Sequence, residues 1–254
     1  MTRVTALQPK PSRATAEGGA KLGLNRRRAL QVLTGLAVAG AIWGLPEAPA
    51  RAGQDYQDLR EQITRATTTI ESMTRSDEFR ELQALLPKAR AVIILPQVIK
   101  GGFILGGKAG SGVLLVKGVD GTWSPPGFLT LAAGSIGLQI GGSVSQMVFT
   151  IMNDGALDAV LTNAFKFGGD IQVAAGTIGK GVEASTTSNL NADIYAYSDS
   201  VGLFGGGALE GAALITNKEA NASYYRTPGV TMDDIVLARK YNNPDADILR
   251  SKLP

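Results

Sequence analysis

Neither cysteine nor histidine occurs anywhere in the 254 residues. Without cysteine there are no disulfides, thiol nucleophiles or thiolate metal sites, so packing alone must hold the fold. Without histidine there is no imidazole to act as a base near neutral pH or to ligate a metal. Covalent or acid–base chemistry would rest on hydroxyls, lysines and carboxylates. The carboxylates Asp120, Asp154, Asp158, Asp170, Glu183, Asp193, Asp199 and Glu210 are scattered through the chain. Ser135 and Ser143 lie beside glycines without forming a G-x-S-x-G elbow. Gly102 to Lys108 reads G-x-x-x-x-G-K, but Ala109 stands where a phosphate loop needs a hydroxyl for Mg²⁺. Gly205-Gly206-Gly207 with Gly211 has the wrong last spacing for a dinucleotide turn. The expectation is a non-enzymatic protein with no cofactor and no metal. A hydrolase using an unrecognised carboxylate or serine site is the enzymatic alternative.

Charge is distributed unevenly. Residues 1–52 hold eight Lys or Arg against Glu17 and Glu47, while the whole chain has 25 basic and 22 acidic residues. Residues 53–254 therefore carry 17 basic and 20 acidic residues, a net charge of −3. The basic balance belongs to the first segment, and no nucleic acid partner is expected. That segment runs from Asn25-Arg26-Arg27-Arg28 into an apolar stretch, Ala29 to Leu45, and ends in Ala50-Arg51-Ala52. The order predicts an export signal cleaved after Ala52, with Arg26-Arg27 as a twin-arginine feature. Residues 53–254 are then one domain, in a periplasmic or other extracytoplasmic location.

Within that domain, Leu59, Ile63, Ala66 and Ile70 recur at helical spacing, and Ser76-Asp77-Glu78 starts a second helix. Val92 to Leu95 reads as a strand ended by Pro96. From Gly101 to Gly211 there are 24 glycines among 111 residues. They are interspersed with Val, Ile, Leu and Phe, which a flexible linker would lack. Three blocks (Gly102/106/107, Gly137/141/142 and Gly202/206/207) are each followed by an apolar pair at the same offset. These blocks predict hairpins or curved strand pairs opening on a glycine-rich bend. Further strands are predicted at 121–123, 170–174 and 192–197, the last half-buried by its alternation. A helix is predicted at 155–165 and another from Thr231. The fold class is α+β: N-terminal helices, then a Gly-rich, strongly curved antiparallel sheet or partly closed β-barrel.

Phe103, Trp123 and Phe128 are candidates for a surface that enters the edge of a bilayer or holds an acyl chain. Lys100 and Lys108 flank the first glycine block and are candidates for contact with a lipid phosphate. The first helix mixes Asp58, Arg60, Glu61, Arg65 and Glu71, so its polar face is near neutral.

A set of ordered blocks resembles the SYLF family, also called the Ysc84 actin- and lipid-binding domain. It begins with Ala89-Arg90-Ala91-Val92-Ile93-Ile94-Leu95-Pro96 and Lys100-Gly101-Gly102-Phe103. It continues through 121–126, 135–141 and Met152-Asn153-Asp154, and closes with 197–198, 202–204, Leu209-Glu210-Gly211 and Tyr224-Tyr225. The resemblance spans about residues 55–240. It implies phospholipid binding; eukaryotic members bind phosphoinositides and, in some cases, actin filaments, and bacterial members resemble exported lipid binders. Lys100 and Glu210 match the family pattern, whereas Lys108 stands at a variable position. The eukaryotic activity goes partly with a basic amphipathic N-terminal segment and with SH3 or FYVE domains. With neither in the mature chain, actin binding is not expected. The function expected is binding of phospholipid or another amphiphile at an envelope membrane, and the alternative is a structural or protein-interaction module of the envelope.

Overall fold

The computed structural model describes residues 56–102, 105–136, 141–162, 164–167, 171–176, 192–200, 209 and 211–254. Helix α1 (Tyr56–Arg75) buries Leu59, Ile63, Ala66, Ile70 and Met73 on one stripe. Each large apolar side chain so buried contributes roughly 1.5–3 kcal/mol. Ser76 accepts a hydrogen bond from Glu78 N at the next helical turn, which leads into α2 (Arg80–Leu85). The serine cap read from sequence is therefore present.

Four long strands follow: β1 (Ala91–Gly102), β2 (Leu105–Val116), β3 (Gly127–Ile136) and β4 (Gly141–Ile151). Then come α3 (Asp154–Leu161), β5 (Ala164–Lys166), β6 (Val173–Ala175), β7 (Ile194–Ser198) and β8 (Ala213–Thr216). Helices α4 (Lys218–Tyr224), α5 (Met232–Val236) and α6 (Asp247–Arg250) complete the chain. The strands form one eight-stranded, strongly curved and partly closed sheet in the order β5-β8-β3-β2-β1-β4-β7-β6. Pairing is antiparallel except between β6 and β7. The predicted α+β class and curved sheet are what the protein has.

Both faces of the sheet are covered. Val92, Ile94, Val113, Leu115 and Val148 point to a core shared with α1, α2, α4 and α6. Ile93, Leu95, Leu114, Leu131 and Phe149 point to a second core with α3 and α5. This double cover explains one departure from the sequence reading: β7 is buried along its whole length rather than on alternate residues.

Pro96 does not end β1. The strand bulges between Ile94 and Gln97, so the missing proline N–H falls where the ladder is already interrupted. The extra residue reverses the alternation: Leu95 and Val98, three apart, enter the same core. The bulged chain leans onto β2 at Gly112, where a Cβ would stand 2.3 Å from Ile94 O. Glycine is required there by that close approach.

The first glycine block lies at a hairpin, with Gly102 opposite Gly106, but the second does not: β3 and β4 are separated by β2 and β1, and Gly141 pairs instead with Gly102 of β1. The third block, 202–207, lies outside the described residues, as does the boundary after Ala52. Trp123 makes only an isolated bridge to Lys117 in place of the predicted strand. Helix α3 stops at Leu161, and β5 follows where the helix was expected to continue. The last predicted helix starts as read, with Thr231 accepting from Asp234 N.

Candidate functional site

The end of the sheet farthest from the helical cover is built by the second halves of β1 and β3 and the first halves of β2 and β4. Ile99 of β1 lies between Ala109 of β2 and Val144 of β4. Ala109 in turn pairs with Ala132, Ala132 with Ala213, and Ala213 with Lys166. A single row thus crosses six strands, apolar until it ends at exposed Lys166. Ile99 is 52% exposed and Val144 63% exposed. The row lies on the face that carries α1, one step beyond Gln97, which accepts a hydrogen bond from Arg65 of that helix. Where α1 meets the bulge, a shallow depression of about 190 Å³ is lined by Thr64, Arg65, Thr68, Thr69, Pro96 and Gln146. The depression is open to solvent, so it is not an acyl-chain tunnel.

One position along, side chains point to the other face. There Lys100 sits directly opposite Lys108, with Ser143 beyond Lys100 and Ala133 beyond Lys108. Lys108 is only 8% exposed. Burial, and secondarily the charge of Lys100, hold its ammonium below the ordinary lysine range. The four long strands contain no aspartate or glutamate, and these two lysines are their only ionisable side chains.

Of the five residues singled out from sequence, the fold brings together Lys100 and Lys108. Trp123 and Phe128 are not at this surface. Trp123 is buried in the α1-side core, with Lys117 over its ring and its Nε1 donating to Pro254 O at 2.7 Å. Phe128 is buried edge-on against Tyr224. Both fill volume between strand and helices, in a core that also holds Phe79, Tyr197 and Tyr224. Phe103 lies outside the described residues. Sequence reading missed Ile99 and Val144: the face of Ile99 is set by the bulge before it, and Val144 is a lone apolar residue between Ser143 and Ser145. Among the described residues no cluster of acidic side chains could hold a metal, and no helix is long and apolar enough to cross a membrane.

A family model described as "Ysc84: Las17-binding protein actin regulator" matches residues 132–253. LAS seventeen-binding protein 3 of Saccharomyces cerevisiae is 29% identical over 177 residues, covering 66% of this chain and 38% of the yeast protein. Protein YSC84 of the same yeast is likewise 29% identical over 177 residues, with the same coverage. SH3 domain-containing YSC84-like protein 1 of Homo sapiens is 34% identical over 165 residues, 65% of this chain and 48% of the human protein. The chain thus spans less than half the length of these curated relatives.

The relatives overturn two expectations. They come from yeast and mammals, which have no bacterial periplasm, so the exported, periplasmic location and the cleaved twin-arginine signal do not stand. The order on which that reading rested is satisfied by any arginine cluster followed by small apolar residues. The expectation that actin would not be a partner also falls, because the matching family model is that of an actin regulator. That expectation rests on the lack of a basic amphipathic segment and of SH3 or FYVE partner domains in residues 53–254 and on the near-neutral first helix, but contact with a protein surface does not require a basic helix.

Proposed function

We propose, from the premise that this chain belongs to the Ysc84 (SYLF) family, that it is a protein-interaction module whose partner is actin or a protein that regulates actin. Membership carries the coarser statement, a module for lipid-like or protein ligands in a family of non-enzymatic binders. The observation that supports the finer one is the exposed in-register pair Ile99 and Val144. With Ala109 they form an apolar strip, bordered by Gln97, Gln146 and the Glu61–Arg65 ion pair. An apolar centre with a polar rim is the usual anatomy of a protein interface. Residues 53–254 act in this reading as one domain.

Co-sedimentation of the full chain with actin filaments tests it. Ile99→Asp with Val144→Asp places two carboxylates at the centre of the contact and is expected to weaken binding more than tenfold. Equal sedimentation of the variant, or none by the natural chain, would sink the reading.

A second reading is phospholipid binding at a membrane surface. It is favoured by the direct pairing of Lys100 with Lys108 on a sheet that has no acidic residue of its own. Sedimentation with phospholipid vesicles tests that reading.

A further inference from the structure

Residues 243–254 form a strap that lies along α1 and runs in the same direction. Near the start of α1, Asp245 accepts a hydrogen bond from the Tyr56 hydroxyl at 2.8 Å and pairs with Arg60 at 2.8 Å. Eleven residues further along the helix, a rise of about 16 Å, Glu71 pairs with Lys252 at 2.7 Å. Between the two ion pairs the strap buries Ala246, Leu249 and Leu253, which share one stripe by their spacing of three and four. At its end, Trp123 Nε1 donates to Pro254 O at 2.7 Å.

Charge therefore sets direction and register. The helix offers a cation near its start and an anion near its end, and the strap answers in the opposite order. Turning the strap around would set like charges together, which is how charge selects one partner over another. The hold is otherwise modest. Arg60 is 48% exposed and Lys252 37% exposed, and ion pairs so open to water contribute little. The strap also underfills its place: an open cleft of about 360 Å³ lies between Asp247, Arg250 and Leu253 on one side and Gly121, Thr122 and Trp123 on the other.

Apolar anchors at i, i+3 and i+7 are how one protein lays an amphipathic helix into a groove of another. A tethered strap meets its groove at an effective concentration of about millimolar, so a competitor prevails only by adding contact. The cleft beside Trp123 is where that contact can be added.

We infer that the groove along α1 is a docking site for an amphipathic helical segment of another protein, which displaces the strap. That segment carries an acid to meet Arg60, a base to meet Glu71, small and aliphatic anchors between them, and an aromatic anchor that fills the cleft against Trp123. The site shares no residue with the Ile99–Val144 strip, so its failure would leave the proposed function untouched.

The probe is a fluorescein-labelled peptide of residues 243–254 carrying Leu253→Trp, titrated with the full chain by anisotropy. In the full chain, Asp245→Lys with Lys252→Glu turns the strap's charges against Arg60 and Glu71 while leaving the groove intact. This variant is expected to bind the peptide about tenfold or more tightly than the natural chain, because its own strap no longer competes. The peptide with leucine at 253 should bind less tightly, and one with the same two charge reversals should not bind. Equal binding by variant and natural chain, or none by a variant whose circular dichroism is native, would overturn the inference. So would equal binding of the charge-reversed peptide. A dimer of the natural chain that the two reversals abolish would give the groove to a second copy and overturn the choice of partner. Hydrogen exchange of the natural chain decides the matter even if the variant does not fold. The amides of Ser251, Lys252 and Leu253 are expected to exchange well before those of β1, and exchange only together with β1 would mean that the strap never leaves the groove, refuting the inference.

Discussion

Asn221 is completely buried in α4 and acts as a substitute strand at the start of β3. Its Oδ1 accepts from Phe128 N at 2.7 Å, and its Nδ2 donates to Phe128 O at 3.2 Å. Replacing it by alanine affects these two backbone groups unequally. Phe128 O keeps a second donor, Asn217 N at 3.0 Å, whereas the hydrogen bond to Phe128 N is lost with the side chain. An orphaned buried N–H costs about 1–3 kcal/mol, and the void left by the amide adds to that. With a urea slope of about 2 kcal/mol/M for a chain of this size, a loss of about 2–3 kcal/mol moves the unfolding midpoint down by about 1–1.5 M. Asn221→Asp provides the control. The carboxylate still accepts from Phe128 N but turns a second oxygen toward Phe128 O, and its protonated form restores the donor. Burial favours that protonated form in the folded state. The deficit of Asn221→Asp should therefore shrink as pH falls through the carboxylate range. The assay is urea unfolding followed by tryptophan fluorescence. An Asn221→Ala midpoint within about 0.3 M of the natural chain would refute the reasoning, since the scatter of such extrapolations is of that order.

Three other outcomes are expected. Gly112→Ala puts a methyl group 2.3 Å from Ile94 O and 2.6 Å from Leu95 Cδ2; backbone must move, at a cost of about 1–3 kcal/mol or more, read as a lower thermal midpoint. Asp120 receives hydrogen bonds from Thr122 Oγ1 and Thr122 N and lies beside Arg239, which together hold its carboxyl below the ordinary range. Its contribution is present above the pKa of the unfolded chain and is lost as pH falls through the folded one. Asp120→Asn should thus flatten the dependence of urea midpoint on pH below about pH 4, and an unchanged slope would contradict this. Lys108 is held below the ordinary lysine range by burial, so vesicle binding should decline at a lower alkaline pH than in Lys108→Arg, whose guanidinium stays charged.

Helical periodicity and caps were the parts of the fold most legible in sequence. The α1 stripe, the Ser76 cap and the Thr231 cap are local, and local chemistry alone decides them. The first glycine block marks a hairpin, whereas the second marks a crossover from β3 to β4, which local spacing does not distinguish. What stayed hidden depends on partners distant in the chain. Pro96 reads as a terminator until the bulge accommodates it. The five residues of β7 read as half-exposed because sequence does not reveal that both faces of the sheet are covered. For the site, the lysines stood out by charge, but their opposition followed only from the register. Trp123 and Phe128 stood out by size, and size marked core volume rather than a contact surface.

The bulge in β1 also bears on how the sheet tolerates changes in length. Against β2 it sets Leu95 and Pro96 opposite the single position of Gly112, and against β4 it leaves Gln146 facing two residues in the same way. Pro96 is thus one residue of slack, common to both ladders. A deletion of Pro96 closes the bulge and leaves Ile94 with Val113 and Gln97 with Ser111, so Ile99 and Lys100 stay on their faces. The facing strands have no such reserve. A deletion at Gly112 would carry Lys108 to the helix side and Ala109 to the other, exchanging charge and hydrocarbon at the exposed end. Length variation among related chains should therefore collect at the position of Pro96 and be scarce in the strand beside it.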